Sequence, residues 1–330
     1  MIISRTPLRI SFAGGGSDLP AFYKHEPGAV TSTAIDKYIY ITVNKKFDHK
    51  IRASYSVTEI VDSVDELKHE LIREALRMVE LDGGVEIVSI SDIPSQGTGL
   101  GSSSAYTVGL LNALYAYKGN RVEAERLAQE ACQIEIEICN KPIGKQDQYI
   151  ATYGGFQHIQ FNQDESVFLD LVDCLPDTKR ELHKRLLLMY TGLTRSTAEI
   201  LSEQSGNTEN NEDKRQALRT MVKLAQDLRD ALEVNDWGSF GEIVHQGWLK
   251  KKEMASGITN SRIDGWYEQA RQHGAIGGKI TGAGGGGFML LYAPPECHTE
   301  IVRALPELRR LSFRFDGQGS SIVYAEENSR

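Results

Sequence analysis

The sequence predicts a mixed α/β protein organised as about two domains. Three observations carry this: strand-like and helix-like runs alternate along the chain, three glycine-rich loops each adjoin such a run, and 330 residues exceed a comfortable single core. A boundary is expected near Asp177, giving segments 1–177 and 178–330.

Each element follows from local pattern. Ile2–Ile3, Ile10–Ala13 and Tyr38–Val43 are rich in β-branched and aromatic residues and read as strands. Ser63 stands three residues before Glu66, a capping box that predicts a helix with Leu67, Leu71, Ala75 and Val79 on one face. Asp82-Gly83-Gly84 stops it, and Val85–Ile90 returns as a strand. A helix from about Ser102 carries Val108, Leu111 and Tyr115 one turn apart. The next runs from Asn120 to about Cys139 on the stripe Leu127, Ala131, Ile134 and Ile138. Alternation over Phe156–Phe161 and Val167–Val172 predicts a hairpin closing the first domain, and Arg185–Tyr190 begins a new strand. Beyond it, Lys214–Glu233 has helical spacing, Ser205–Asn211 reads as a polar surface loop, and Leu311–Phe315 with Ile322–Tyr324 reads as a terminal hairpin.

Composition excludes several classes. A net charge of −8 and a pI near 5.6 argue against nucleic acid as the main partner. No run approaches the roughly 20 apolar residues of a membrane span, and the start lacks a signal-peptide pattern. Cys132, Cys139, Cys174 and Cys297 have no metal-ligand spacing, Cys132 and Cys139, seven apart on one helix, read as core thiols, and a cytoplasmic location is expected.

The most informative stretch is Gly97, Thr98, Gly99, Leu100, Gly101, Ser102, Ser103 and Ser104, a loop running into a helix. Glycines let backbone N–H groups converge, and the helix start adds unpaired donors and a positive dipole end. A dipole alone is worth roughly 0.3–2 kcal/mol, so the cradle of N–H groups must supply most of the binding of a nucleotide phosphate. The plain alternative is a turn followed by a serine cap. Two further loops count against it: Pro7 to Asp18, and Lys279 to Gly287. Gly278-Lys279 lacks the spacing of a P-loop. Gly282 to Gly287 satisfies a dinucleotide fingerprint, but Phe288–Tyr292 after it reads as a strand where a helix is required.

These three loops, in this order, resemble the motifs of the GHMP kinases, the family of galactokinase, homoserine kinase and mevalonate kinase. Pro7-x-Arg9 with the turn to Asp18 resembles the first motif, Pro94 to Ser103 the second with a longer spacer, and Gly282 to Gly286 the third. Gly144-Lys145-Gln146-Asp147-Gln148 looks like the galactokinase segment that carries the catalytic aspartate. Within the family, the pairing of the Gly14–Asp18 turn with that segment is most similar to the heptose phosphate kinases, with fucokinase-like proteins next.

The resemblance implies a two-domain fold: an N-terminal ribosomal-protein-S5-domain-2-like domain, a C-terminal ferredoxin-like α+β domain, and the site between them. It implies ATP and Mg²⁺ as cofactors and a small-molecule sugar phosphate as partner, with a homodimer left open. The reaction expected is phosphorylation of the anomeric hydroxyl of heptose 7-phosphate, for nucleotide-activated heptose.

By resemblance, Asp147 takes or orients the hydroxyl proton, Arg9 stabilises the transferring group, and Ser103 with Glu135 holds Mg²⁺. On pattern alone Glu135 lies at the edge of an apolar stripe, Asp147 could be a turn residue and Arg9 a surface charge. Gly15, Gly16, Ser17 and Asp18 with Gly282, Ala283 and Gly284 would line the acceptor, Asp18 accepting from vicinal hydroxyls. Lys145 and Arg195 are the two cations expected to grip a phosphate already on the sugar. A kinase of an unphosphorylated sugar, or a silent ligand sensor on the same fold, stays open beside this reading.

Overall fold

The computed structural model describes residues 1–94, 97–194 and 196–326. In chain order the elements are β1 (Ile2–Ala13), α1 (Pro20–Tyr23), β2 (Gly28–Lys45), β3 (Ile51–Ser54), β4 (Thr58–Val61), α2 (Glu70–Met78), β5 (Val85–Ser91), α3 (Ser102–Tyr117), α4 (Ala124–Cys132) and α5 (Gln146–Tyr153). There follow β6 (Phe156–Phe161), β7 (Val167–Leu171), α6 (Pro176–Lys184), β8 (Leu186–Tyr190), α7 (Thr197–Asn210), α8 (Glu212–Glu233) and α9 (Trp237–Lys252). The last are α10 (Ser261–Gln272), β9 (Gly277–Ile280), β10 (Phe288–Tyr292), α11 (His298–Ala304), β11 (Arg309–Leu311) and β12 (Ser321–Ala325).

The strands form two sheets. In the first the order is β12-β1-β2-β5-β3-β4, with β6 and β7 continuing from the other half of β2. Strand β2 serves two neighbours in turn, β6 along Gly28–Thr33 and β5 along Ile39–Lys45. Its burial follows: residues 28–35 are buried without interruption, and the remainder alternates as a strand with one wet face does. The second sheet is β11-β8-β10-β9, antiparallel throughout.

Helix α3 runs against the first sheet and is buried nearly all round, from Ser102 to Tyr115. That is why its apolar pattern is weakly one-sided. Helix α8 also packs on the first sheet, where Thr31 Oγ1 donates to the Ala225 carbonyl at 2.7 Å. A second core gathers around Trp248, Trp266 and Met289 under the second sheet.

Four local expectations are corrected. Ser63 Oγ does reach Glu66 Oε1 at 3.1 Å, but it closes only a 3₁₀ turn at Val64–Glu66. Helix α2 starts later, where His69 Nδ1 accepts from the Ile72 N–H at 3.4 Å. The helix expected to reach Cys139 widens into a π turn at Gln133–Ile138. The wider turn rotates the stripe, leaving Ile138 43% exposed while Glu135 is fully buried. Residues 205–210, read as loop from their Ser, Gly and Asn content, belong to α7, whose buried Gln204 and Thr208 face inward. The terminal hairpin does not form: β11 pairs with β8, and β12 crosses to pair with β1. The last strand thus belongs to the first sheet, although its residues follow the expected boundary at 177. The hairpin of β6 and β7, the strand β8 and the start of α3 at Ser102 agree with expectation.

Candidate active site

A cavity of about 580 Å³ lies between the two sheets and is lined by all three glycine-rich turns. At its centre stands Arg9, buried on β1. Its Nε donates to Asp147 Oδ1 at 2.6 Å and its Nη2 to Oδ2 at 2.7 Å, a bidentate clasp. The remaining Nη1 donates to the Gly99 carbonyl at 2.6 Å, and the Arg9 N–H donates to the Leu100 carbonyl at 3.0 Å. One guanidinium therefore ties the phosphate loop to Asp147, which sits in the first turn of α5.

The phosphate loop meets the third glycine turn backbone to backbone. Gly99 has φ +72°, and a Cβ there would stand 2.3 Å from the Thr281 carbonyl oxygen. A Cβ on Gly282 would stand 2.7 Å from Gly99 Cα. Only glycine admits this seam. Gly97, Thr98, Gly99, Gly101, Ser102, Ser103 and Ser104 all face the cavity, as do Gly282, Ala283 and Gly284. Leu100 does not: its side chain is fully buried in the core under the loop, where its carbonyl serves Arg9.

Ser103 is exposed to the cavity and donates to Glu135 Oε1 at 2.5 Å, while Gln148 Nε2 donates to Oε2 at 2.7 Å. Glu135 lies behind Ser103, and burial raises its pKa against these hydrogen bonds. Among the described residues no group of three or more His, Cys, Asp or Glu is placed to hold a metal. A hydroxyl with one desolvated carboxylate nonetheless fits Mg²⁺, which keeps several waters and shares phosphate oxygens, and whose charge would favour the ionised carboxylate.

On the other side of Arg9, Asp18 ends the first glycine turn. Its Oδ1 accepts from the Gly16 N–H at 2.8 Å and its Oδ2 from Gln146 Nε2 at 2.9 Å. A Cβ on Gly144 would fall 2.0 Å from Oδ2, so glycine there lets α5 approach the turn. Burial raises the Asp18 pKa, opposed by its Gly16 hydrogen bond. Gly15 and Gly16 line the cavity beside it.

Two expected contacts are not found, and a third falls on a residue that is not described. Ser17 is fully buried and pins the turn, donating to the Gly14 carbonyl at 2.9 Å and the Ala29 carbonyl at 3.0 Å. Lys145 points away from the cavity, because the start of α5 sends consecutive side chains to different faces. Its ammonium pairs with Glu165 and lies 4.8 Å from the centre of the Tyr23 ring. Arg195 lies outside the described residues.

Two cations that the sequence reading missed occupy the place expected for Lys145. Lys251, on α9, donates to Gln204 Oε1 at 2.8 Å and the Gly15 carbonyl at 3.4 Å. Lys279, on β9, donates to the Ser11 carbonyl at 3.0 Å and the Phe12 carbonyl at 3.4 Å. Both line the cavity, and burial lowers their pKa values to about 8 for Lys251 and about 7 for Lys279. A signal for Lys279 existed: a lone charge in Gly277–Ile280, a run buried at every position. Lys251 sits inside Lys250-Lys251-Lys252, and only the register of α9 turns it inward.

A second cavity, of about 670 Å³, shares Glu70, Ser102, Ser103 and Lys141 with the first. Its wall includes His69 stacked on Tyr106 at 5.3 Å between centroids, a flat apolar surface beside the phosphate loop.

The comparisons with known proteins agree with this geometry. The GHMP kinases N terminal domain matches residues 66–155 and the GHMP kinases C terminal domain matches 228–308. The D-glycero-alpha-D-manno-heptose 7-phosphate kinase of Campylobacter jejuni is 29% identical over 316 residues, 92% of this chain and 93% of its own length. A mevalonate kinase of Thermococcus sibiricus is 30% identical over 247 residues, 71% of this chain and 68% of its own. A solved D-glycero-D-manno-heptose 1-phosphate kinase from Bacteroides thetaiotaomicron has a TM-score of 0.83 at 25% identity, covering 99% of this chain and 100% of that one. With both domains matched in order and three glycine turns converging on one cavity, the chain belongs to the GHMP kinase family and is a phosphotransferase.

Proposed function

We propose that this kinase transfers the γ-phosphoryl group of ATP to the anomeric hydroxyl of D-glycero-D-manno-heptose 7-phosphate, giving the 1,7-bisphosphate. The observation that carries the proposal is the Arg9–Asp147 clasp, held between the phosphate loop and the Asp18 turn. The similarity to the Campylobacter jejuni enzyme supports the choice of acceptor.

Phosphoryl transfer asks mainly for positioning and for charge stabilisation. The loop Gly97–Ser104 offers backbone donors to the nucleotide phosphates, and the cavity walled by His69 and Tyr106 offers a stacking surface for the base. Asp147 orients the acceptor hydroxyl and takes its proton, with Arg9 fixing the carboxylate plane. Arg9 also lies where charge develops on the transferring group. Ser103 and Glu135 would hold Mg²⁺, which when bound neutralises charge on the phosphates. Asp18 Oδ1, with a single protein donor, keeps a lone pair for a sugar hydroxyl, while Oδ2 accepts from both the side-chain amide and the backbone N–H of Gln146.

A second reading, an unphosphorylated sugar as acceptor, is favoured by one observation: Lys145 is spent on Glu165 and takes no part in the cavity. The names of the two heptose kinases also differ in the carbon that bears phosphate. The test is Mg²⁺-dependent ADP release with heptose 7-phosphate, heptose 1-phosphate, mannose 6-phosphate, free heptose, fucose and mevalonate as acceptors. Preference for heptose 7-phosphate supports the proposal. Preference for a neutral sugar moves the enzyme to the second reading, and ATP binding without turnover on any acceptor returns the silent-sensor alternative.

A further inference from the structure

Lys251 and Lys279 are the two buried cations that the proposed chemistry does not use. Most lysines and arginines of this protein that form ion pairs do so near the surface. Among the described residues neither has a carboxylate as hydrogen-bond partner: their ammonium groups meet carbonyl and amide oxygens, and Asp18 acts on both from further off. Burying two cations that share one carboxylate is costly, and proteins tolerate it where a ligand supplies further charge.

Their placement has an order. Arg9 lies on β1 against the phosphate loop; Lys279 contacts the carbonyls of Ser11 and Phe12; Lys251 contacts that of Gly15. The cations thus step along β1 and into its turn, away from the loop that would hold the donor. Lys279 is close enough to feel the other two: Lys251 and Arg9 both depress its pKa, behind the larger effect of burial and against Asp18.

Unpartnered polar atoms gather at the same place. Ser11 Oγ, Gln146 Oε1 and Gln204 Nε2 are buried with no hydrogen-bond partner among the described residues. Ser11 Oγ lies 3.6 Å from where a Cβ on Gly15 would stand, and Ser11 lines the cavity. Gln204 uses its other amide atom to hold Lys251. An unsatisfied buried hydroxyl beside two ammonium groups that share one carboxylate is a donor set short of an acceptor.

We infer that Lys251, Lys279 and Ser11 form an anion subsite that grips the phosphate already carried by the acceptor. The subsite rests on the reading that the acceptor is a sugar phosphate. Two ammonium groups and a hydroxyl match the oxygens of one phosphate dianion, and Asp18 between them and Asp147 faces the sugar hydroxyls. The lysines, and not Lys145, then set the preference for a phosphorylated sugar.

The experiment compares wild type with Lys251→Met and Ser11→Ala, measuring kcat and KM for ATP, for heptose 7-phosphate and for free heptose. Lys251→Met is expected to raise KM for the sugar phosphate by about tenfold to a hundredfold, the loss of one charge-assisted hydrogen bond. The ratio of kcat/KM for sugar phosphate over free sugar falls in proportion. Ser11→Ala removes a hydroxyl with no partner among the described residues, so a purely structural role predicts no effect. The subsite predicts a rise of about twofold to tenfold in that same KM. Should Lys279→Met fold, it follows Lys251→Met. A wild type that prefers the sugar phosphate, with variants that keep the preference, overturns the subsite alone. Variants that raise KM for ATP instead reassign the lysines to the donor phosphates and also overturn it. A wild type that turns over only neutral sugars removes both the subsite and the reading beneath it.

Discussion

The wall of the cavity proposed to face the nucleotide is one stretch of chain, Gly97–Ser104, made mostly of backbone donors and hydroxyls. The wall proposed for the acceptor is gathered from β1, α5, α7, α9 and β9, and sets the charges of Asp18, Asp147, Lys251 and Lys279 among amides and hydroxyls. The difference follows from what each must hold. A polyphosphate can be bound by N–H groups that local glycine geometry aims at one point, so the wall can be contiguous. Buried charges must be spaced and compensated individually, which only tertiary placement achieves.

The largest effects are expected where the two walls meet. Asp147→Asn should lower kcat by about 10²–10⁴-fold, the scale of a lost general base, while ATP still binds by isothermal titration. Normal turnover would separate the clasp from the chemistry. Arg9→Ala touches both walls and should cost about 10²–10³ in kcat. A loss confined to KM for ATP would place Arg9 on the nucleotide side alone.

Within the nucleotide wall, Glu135→Gln should raise the Mg²⁺ concentration for half-maximal activity by about tenfold to a hundredfold. Gln148 Oε1 has no partner among the described residues, so its amide can turn to accept from the new side chain, and the thermal midpoint should hardly move. A collapse of the fold would make Glu135 structural. Gly99→Ala probes the seam between the turns: a Cβ at φ +72° and 2.3 Å from a carbonyl oxygen should lower stability by about 1–3 kcal/mol in urea unfolding. Wild-type stability would mean the seam yields.

The smallest effect tests the charge on the acceptor wall. The pKa of Lys279 is depressed to about 7 by burial first, then by Lys251 and Arg9, with Asp18 opposing. A cation whose folded pKa is lowered binds fewer protons folded than unfolded, so stability rises with pH above about 7 towards the ordinary lysine value. Between about pH 7 and 9 the unliganded protein should therefore gain stability relative to Lys279→Met. Parallel curves for the two proteins would show that Lys279 keeps one charge state throughout.

That the glycine–serine turn lines a cavity was legible in the sequence, because its glycines and serines are adjacent and each has a local reason. So was Asp147, through its segment, and the start of α3 at Ser102. The acceptor wall was not. Lys251 hides in a run of three lysines at a helix end, where charge normally means solvent. Gln204 belongs to a helix whose Ser, Gly and Asn content reads as loop; capping by Ser196 and the burial of Gln204 and Thr208 override that weak propensity. Lys145 misled for the opposite reason: its place in the motif beside Asp147 says nothing of which face the α5 start presents. The π turn that carries Glu135 inward adds a residue to one turn, a shift that regular helical spacing does not contain.

The pairing of β12 with β1 has a consequence for how the molecule is made. Ile2 opposes Ala325 and Ile3 opposes Tyr324, so one edge of the first strand waits for almost the whole chain to be synthesised. During that interval the edge from Ile2 to Arg5 stays open to any neighbouring nascent chain, the exposure that favours misassembly. Removing residues 321–325 should leave the cavity's residues in place on paper, and yet lower soluble yield more than activity per folded molecule.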